Sequence, residues 1–367
     1  MLVCLMRTIP VSLTELKTNE QHMSSDPRMH NHKDAREWVS VLAKYREPDN
    51  LRSTFELGVS VIPFIVLWAM ALWIANFSYL AAFGIALLNG AFLLRIFCIQ
   101  HDCGHGSFFG NRDLSDWVGR ALGVVTLTPY DVWRRTHSIH HSHTGDLAHR
   151  GIGDVMTLTV DEYNARSRFG RFMYRLYRHP VVLFGLGPTY LFIFQNRLPL
   201  GLMNQGSKYW VSAMGTNIAA ALIAFLIVFF AGWQALLLVT LPTILLAASV
   251  GMWLFYVQHQ FEDTHWDEHD DWQLHEAALH GSSHYDLPLV LRWFTANIGI
   301  HHVHHLYARI PFYRLSDVLR DHEELVECGR MTLIESFKCA RLDLWDAANR
   351  KLISFADARK LGSPAQS

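Results

Sequence analysis

Residues 57–94, LGVSVIPFIVLWAMALWIANFSYLAAFGIALLNGAFLL, run for 38 positions between Glu56 and Arg95 without one Asp, Glu, Lys or Arg. A helix that crosses a bilayer needs roughly 20 apolar residues, so this stretch is long enough for two passes and too long for one. The polar punctuation Asn76-Phe77-Ser78 predicts a helical hairpin, about 57–75 with 79–99. A second stretch of 53 uncharged residues lies between Lys208 and Glu262, and Gly232-Trp233-Gln234 divides it into about 212–231 and 235–257. Soluble helices seldom go so long without a charge on any face. The expected fold class is therefore an all-α integral membrane protein with four transmembrane helices in two hairpins.

The rest of the chain fits around that frame. Half of its 367 residues are hydrophobic and only 18% are charged, which is apolar for a soluble protein. A third apolar run, residues 181–194 (VVLFGLGPTYLFIF), is too short to span and contains Gly and Pro, so it reads as interfacial or re-entrant. The turns of the hairpins carry no charge, whereas residues 110–180 hold ten arginines. Basic residues accumulate on the cytoplasmic side, which places both termini and the polar segments there. The division expected is a polar, partly disordered cytoplasmic arm over 1–50, a membrane domain over 51–350 and a tail over 351–367. Within 51–350, hairpins at about 57–99 and 212–257 carry a cytoplasmic helical cap made of 100–208 and 258–350. The opening MLVCLMRTIPVSL has too short an apolar run for a secretory signal. A net charge of −1 with no interleaved basic patch speaks against a nucleic-acid partner. Five cysteines without CxxC spacing indicate neither a disulfide framework nor a thiolate zinc site.

Histidine is the one excess, at 22 residues, and it concentrates where the apolar runs end. HDCGH (101–105) places His101 and His105 at i, i+4. HSIHHSHTG (137–145) places His137, His140 and His141 at i, i+3, i+4, and HHVHH repeats the spacing with His301, His304 and His305. His259 stands in VQHQF at the end of the fourth expected span. At about 100° per residue each group shares a helical face. Neutral imidazoles gathered without balancing carboxylates gain little from one another but are natural ligands of a divalent transition metal. Nine exceed the four that close a structural zinc site. Two ions, with positions left open for water or dioxygen, account for them better, and iron accepts imidazole.

HDCGHGSFF, HSIHHSHTG and WFTANIGIHHVHHLYARIP closely resemble the three histidine boxes of the membrane fatty acid desaturases, particularly the bacterial acyl-lipid type that includes delta-12 (omega-6) enzymes. The resemblance runs from about residue 55 to 350. It implies a di-iron centre that uses dioxygen and two electrons to take two hydrogens from an acyl chain and leave a cis double bond, with a lipid-linked chain favoured over acyl-CoA or acyl carrier protein. By this resemblance His101, His105, His137, His140, His141, His301, His304 and His305 become iron ligands. His259, in a stretch similar to the family's QHxFE segment, becomes the ninth.

His143 and His302 lie off the ligand faces, and His265, His269, His275, His280 and His284 fall in a charged stretch that reads as solvated. Asp102, Asp146, Asp154, Glu262 and Asp263 are candidates to orient the metal-bound rings. Asn297 suits either a metal-bound water or a helix cap. Trp253, Phe255, Trp293 and Phe294 suit either an acyl-chain cavity or plain packing. Neither a cytochrome b5 HPGG haem motif nor a ferredoxin-like cysteine spacing is present, so a separate ferredoxin or cytochrome b5-like donor is expected on the cytoplasmic face. Arg134, Arg135 and the arginines from 166 to 178 offer it a basic surface, or meet anionic lipid headgroups. The competing reading is a hydroxylase or ketolase using the same iron–oxygen chemistry on a hydrocarbon or carotenoid. A metal transporter is disfavoured because the hairpin interiors lack ionisable residues. The expected location is a bacterial inner membrane.

Overall fold

The computed structural model describes residues 35–151 and 153–361. The expected N-terminal arm lies outside the described residues as far as residue 34, and the last six positions of the expected tail do likewise. In chain order the helices are α1 (Ala35–Leu42), α2 (Asn50–Ile74), α3 (Tyr79–His105), α4 (Arg112–Val125), α5 (Tyr130–His143), α6 (Val160–Asn164), α7 (Arg168–Arg178) and α8 (Gly187–Ile193). There follow α9 (Ser207–Ala235), α10 (Leu241–His259), α11 (Leu274–His280), α12 (Leu289–Phe294), α13 (His301–Leu306) and α14 (Phe312–Asp321). Short strands are interspersed: β1 (Leu158–Thr159), β2 (His284–Asp286), β3 (Arg330–Thr332), β4 (Leu344–Asp346) and β5 (Lys351–Ile353).

Three helical runs are long and apolar enough to cross a membrane: Asn50–Ile74, Tyr79–His105 and Ser207–His259. The first two follow the hairpin read from the sequence. Asp49 opens α2 by accepting hydrogen bonds from the Leu51 and Arg52 amides, and Ser78 opens α3 by accepting from Ala81. The third run is 53 residues long, about 80 Å at 1.5 Å per residue, against roughly 30 Å of hydrocarbon. It is broken at Gly232, whose φ of 81° and ψ of 164° no helix accommodates, at the position where punctuation predicted a turn.

Helices α2, α3 and α10 pack closely. Ala71, Ala82 and Ala86 are fully buried with Val239, and Thr243 donates from its hydroxyl to the Ala86 carbonyl at 3.0 Å. A Cβ on Gly90 would lie 2.9–3.1 Å from Leu246 and the Thr243 carbonyl, so only glycine lets α10 approach α3 this closely. The charges that bound the first apolar stretch meet each other. Arg95 pairs with Glu56 in a site where both side chains are almost wholly buried, and it also donates to Ser60 and to the Trp293 carbonyl. Pairing removes the main cost of placing either charge there.

Around the C-terminal turns of α3 and α10, one continuous core joins Ile99, Leu254, Val257 and Phe261 to Leu279, Tyr285, Val303 and Phe312. Three expectations are corrected here. The all-α class gives way to a mostly helical chain with two small sheets: β1 parallel to β4 and β4 antiparallel to β5, and β2 parallel to β3. Strands of two or three residues are too short to leave a period in the sequence. The polar arm does not extend to residue 50, since Ala35, Trp38, Leu42 and Tyr45 are buried in the core. The expected tail begins inside a sheet, with Leu352 and Ile353 buried in β5.

Candidate metal centre

The first box sits in the last turn of a long apolar helix, and the other two lie on shorter helices packed against it. His101 and His105 form the last turn of α3, which ends on Gly106 at φ 69° with backbone hydrogen bonds back to Asp102 and Cys103. His137, His140 and His141 lie on α5, anchored by the Tyr130 hydroxyl, which donates to the Cys103 carbonyl at 2.9 Å. A Cβ on Gly119 or Gly123 would strike Tyr130 or the Thr128 carbonyl, so these glycines let α5 turn back against α4. His259 is the last residue of α10. His301, His304 and His305 lie on α13, reached through Ala296 and Asn297, both left-handed at φ 50° and 54°.

The nine rings gather into two groups. One holds His101, His105, His137, His141 and His304. The other holds His140, His259, His301 and His305, and within each group the candidate ligand atoms lie within 4.8 Å of one another. In each HxxHH box the i and i+4 residues serve one group and the i+3 residue serves the other. Residue i+4 lies about 40° round the helix from i, whereas i+3 lies about 60° the opposite way, so a single turn forks between two centres. The groups adjoin: the rings of His141 and His305 stack at 4.0 Å.

Hydrogen bonding cannot satisfy these nitrogens. An imidazole nitrogen offers one in-plane site, a hydrogen or a lone pair. Yet His137 Nε2 lies 3.1 Å from both His105 Nε2 and His141 Nε2, and His259 Nε2 lies 3.1 Å from His140 Nε2 and 3.0 Å from His301 Nε2. His304 Nε2 stands 3.2 Å from His141 Nε2. His305 Nε2 and His301 Nδ1 are buried without a hydrogen-bond partner. Ligands about 2.1 Å from a common ion and at right angles stand roughly 3.0 Å apart, which matches these separations. Burial first, and neighbouring imidazoles second, hold His137, His140, His141, His301, His304 and His305 well below the ordinary histidine value. Their lone pairs are therefore free for a cation at neutral pH. The donor set fits a pair of transition-metal ions.

Of the five acids considered for orienting the rings, Asp102 reaches one. Its Oδ1 lies 3.3 Å from His101 Nδ1 and its Oδ2 accepts the Phe312 amide at 2.7 Å, which ties the first box to the start of α14. His259 Nδ1 faces the Gly281 carbonyl at 3.3 Å. Asp146 instead contacts His149 and His269. Asp154 accepts its neighbour Val155's amide, and burial raises it to about 6. Glu262 and Asp263 are exposed. Asn297 donates from its side-chain amide to the Phe312 carbonyl at 3.1 Å.

Other histidines are engaged elsewhere. His302 Nε2 faces the Leu325 carbonyl at 2.9 Å and His143 Nδ1 the Ile139 carbonyl at 3.0 Å. His284 Nδ1 faces the Val326 carbonyl, and His265 Nε2 pairs with Asp267. Of the four aromatics, only Phe255 meets the site, 5.1 Å from His140 and 5.4 Å from His259. Trp253 packs on Phe184 and Phe337, while Trp293 and Phe294 pack on Phe92. Trp133, which composition did not single out, stacks on His137 at 4.6 Å. A cavity of about 630 Å³ opens onto His105, His137, His141 and His305 beside Trp133, Arg135 and Tyr209. The basic surface is smaller than its arginine count implied. Arg178 is buried on Thr157, Tyr256 and the Leu342 carbonyl, and Arg134 pairs with Asp116.

The profile of the family described as fatty acid desaturase matches residues 77–336. The chain is 41% identical over 314 residues to a fatty acid desaturase of Bacillus subtilis (strain 168), covering 86% of this chain and 89% of that one. More distant similarity links it to an sn-1 acyl-lipid omega-3 desaturase (ferredoxin) of Nostoc sp. (strain 36), 25% identical over 76% of each chain. An sn-1 oleoyl-lipid 12-desaturase of Synechocystis sp. (strain ATCC 27184 / PCC 6803 / Kazusa) is 27% identical over 62% of this chain and 64% of its own.

Proposed function

The chain belongs to the fatty acid desaturase family of enzymes, and from that premise we propose that it introduces a cis double bond into a lipid-linked fatty acyl chain at a pair of iron ions, with dioxygen as co-substrate. The observation that carries the proposal is the division of nine imidazoles into adjoining groups of five and four. His101, His105, His137, His141 and His304 would hold one iron, and His140, His259, His301 and His305 the other. Bound iron supplies the redox chemistry that an unactivated methylene requires and that no carboxylate or lone imidazole can provide. The protein's part is to place those ligands. Asp102 fixes His101, Trp133 fixes His137, and Phe255 shields His140 and His259. One carbon pair must be held against the metals, and the cavity beside Trp133 and Tyr209, with Asp131, Arg134, Arg135 and Lys208 also in its lining, gives access to them.

The break at Gly232 supports two passes within Ser207–His259, and hence four spans in two hairpins. The arginine distribution supports an inner-membrane enzyme with its centre and both termini in the cytoplasm. A separate donor, ferredoxin or cytochrome b5-like, delivers the two electrons from that side. The similarity to the Nostoc sn-1 acyl-lipid omega-3 desaturase (ferredoxin) supports the first choice.

The test is the fatty-acid profile of a desaturase-free host expressing the chain. A new acyl species lighter by two hydrogens is expected, and its bond position and chain length identify the substrate. A species heavier by one oxygen overturns desaturation in favour of hydroxylation.

A further inference from the structure

Apart from the nine box histidines, the described residues hold one more set of side chains grouped as metal ligands: Asp146, His149 and His269. Asp146 caps the short turn Leu147–His149, its Oδ1 accepting the Ala148 amide at 2.9 Å. That bond aims Oδ2 outward, where His149 Nδ1 approaches to 2.6 Å and His269 Nδ1 to 2.8 Å. The Asp146 side chain is 0% exposed, whereas the rings of His149 and His269 are 44% and 58% exposed.

We propose that Asp146, His149 and His269 form a third cation site, taking a single divalent ion of the zinc class that ties the segment after α5 to the segment after α10. Two imidazoles and one carboxylate, with a side open to water, are a donor set that zinc accepts. Ligands of a tetrahedral zinc stand roughly 3.3 Å apart. The two half-exposed rings would swing outward from their 2.6 and 2.8 Å contacts by roughly 0.7 and 0.5 Å to admit it, while the buried carboxylate stays fixed. Burial pushes Asp146 up, but hydrogen bonds from His269 and His149 outweigh it and hold the carboxyl below the usual range; the ion would replace those two N–H donors, the Nδ1 protons moving to Nε2 or to solvent.

The two segments are already in register. The Leu147 amide donates to the Asp267 carbonyl at 3.0 Å, the Asp267 amide to the Gly145 carbonyl at 2.9 Å, and the Trp272 indole to the Thr144 carbonyl at 2.9 Å. Thr144 in turn donates from its hydroxyl to the His140 carbonyl at 2.7 Å. An ion at Asp146 therefore braces the end of the second box against the chain that follows His259, without touching either iron group.

The test uses the full-length chain purified in detergent, loaded with iron, equilibrated with zinc and then washed. Zinc and iron per chain are read by elemental mass spectrometry for the wild type, His149→Ala, His269→Ala and, as a control, the exposed His179→Ala. One tightly held zinc is expected in the wild type and the control, lost in both cluster variants while iron is unchanged. Zinc absent from the wild type, or equal in all four proteins, overturns the site. Zinc and iron falling together in both variants overturns its independence from the di-metal centre. The reading of the box histidines fails separately, by loss of iron dependence alone.

Discussion

Helices α3 and α9 are both uncharged through their middle and equally plausible as membrane spans, yet the protein treats them differently. In α3, 61% of the most apolar window is buried, against 17% in the run that contains α9. The buried helix carries ligands at its exit, a glycine pressed against α10 and half of an ion pair. The other presents Ile218, Leu222, Phe225 and Phe229 outward. Hydropathy recognises that both can lie in lipid, but it does not distinguish the helix that positions the site from the one that surrounds it.

The comparison breaks most completely at the ligands. His140→Ala and His304→Ala, one from each group, should abolish the product and lower iron content while leaving membrane insertion intact; unchanged iron in either refutes that ligand. The buried pair comes next. Arg95→Leu leaves Glu56 with only the half-exposed Arg52, 2.7 Å away, and should cost about 1.5–3 kcal/mol, read as a fall in the thermal midpoint in detergent, while the double variant Glu56→Leu with Arg95→Leu should recover most of it. Asp102→Asn keeps the shape but weakens the hold on His101, and iron affinity measured against a chelator should fall about 10–100-fold.

The smallest effects sharpen the contrast between the two helices directly. Gly90→Leu in α3 should destabilise by about 1–3 kcal/mol through collision with Leu246 and Thr243. Gly215→Ala in α9, where a Cβ meets nothing within 4 Å, should stay within about 0.5 kcal/mol of the wild type by the same thermal assay. Equal effects at the two glycines would mean that α9 is packed against protein after all.

Much of the centre was legible beforehand because its signals are local. The uncharged runs, the polar turns and the histidine spacing all depend on neighbours within a few residues, and helical geometry converts them into faces and spans. His149 escaped notice because its partner Asp146 reads as a box acid, and His269 because a charged stretch reads as solvated. The two segments are brought together by tertiary contacts, the pairing of Gly145 and Leu147 with Asp267 and the Trp272 indole on the Thr144 carbonyl. The strands escaped for a similar reason, each being too short to show a period.

Sequence alone established apolar runs long enough to cross a membrane and eight imidazoles sharing helical faces within three boxes, since both follow from spacing along a single helix, while His259 came from the resemblance. Tertiary structure decided how the nine divide five to four, which acid reaches a box histidine, and that Glu56 finds Arg95. The division of the imidazoles depends on where α3, α5, α10 and α13 meet and the ion pair on where α2 meets α3, and contacts between different helices leave no mark on local spacing.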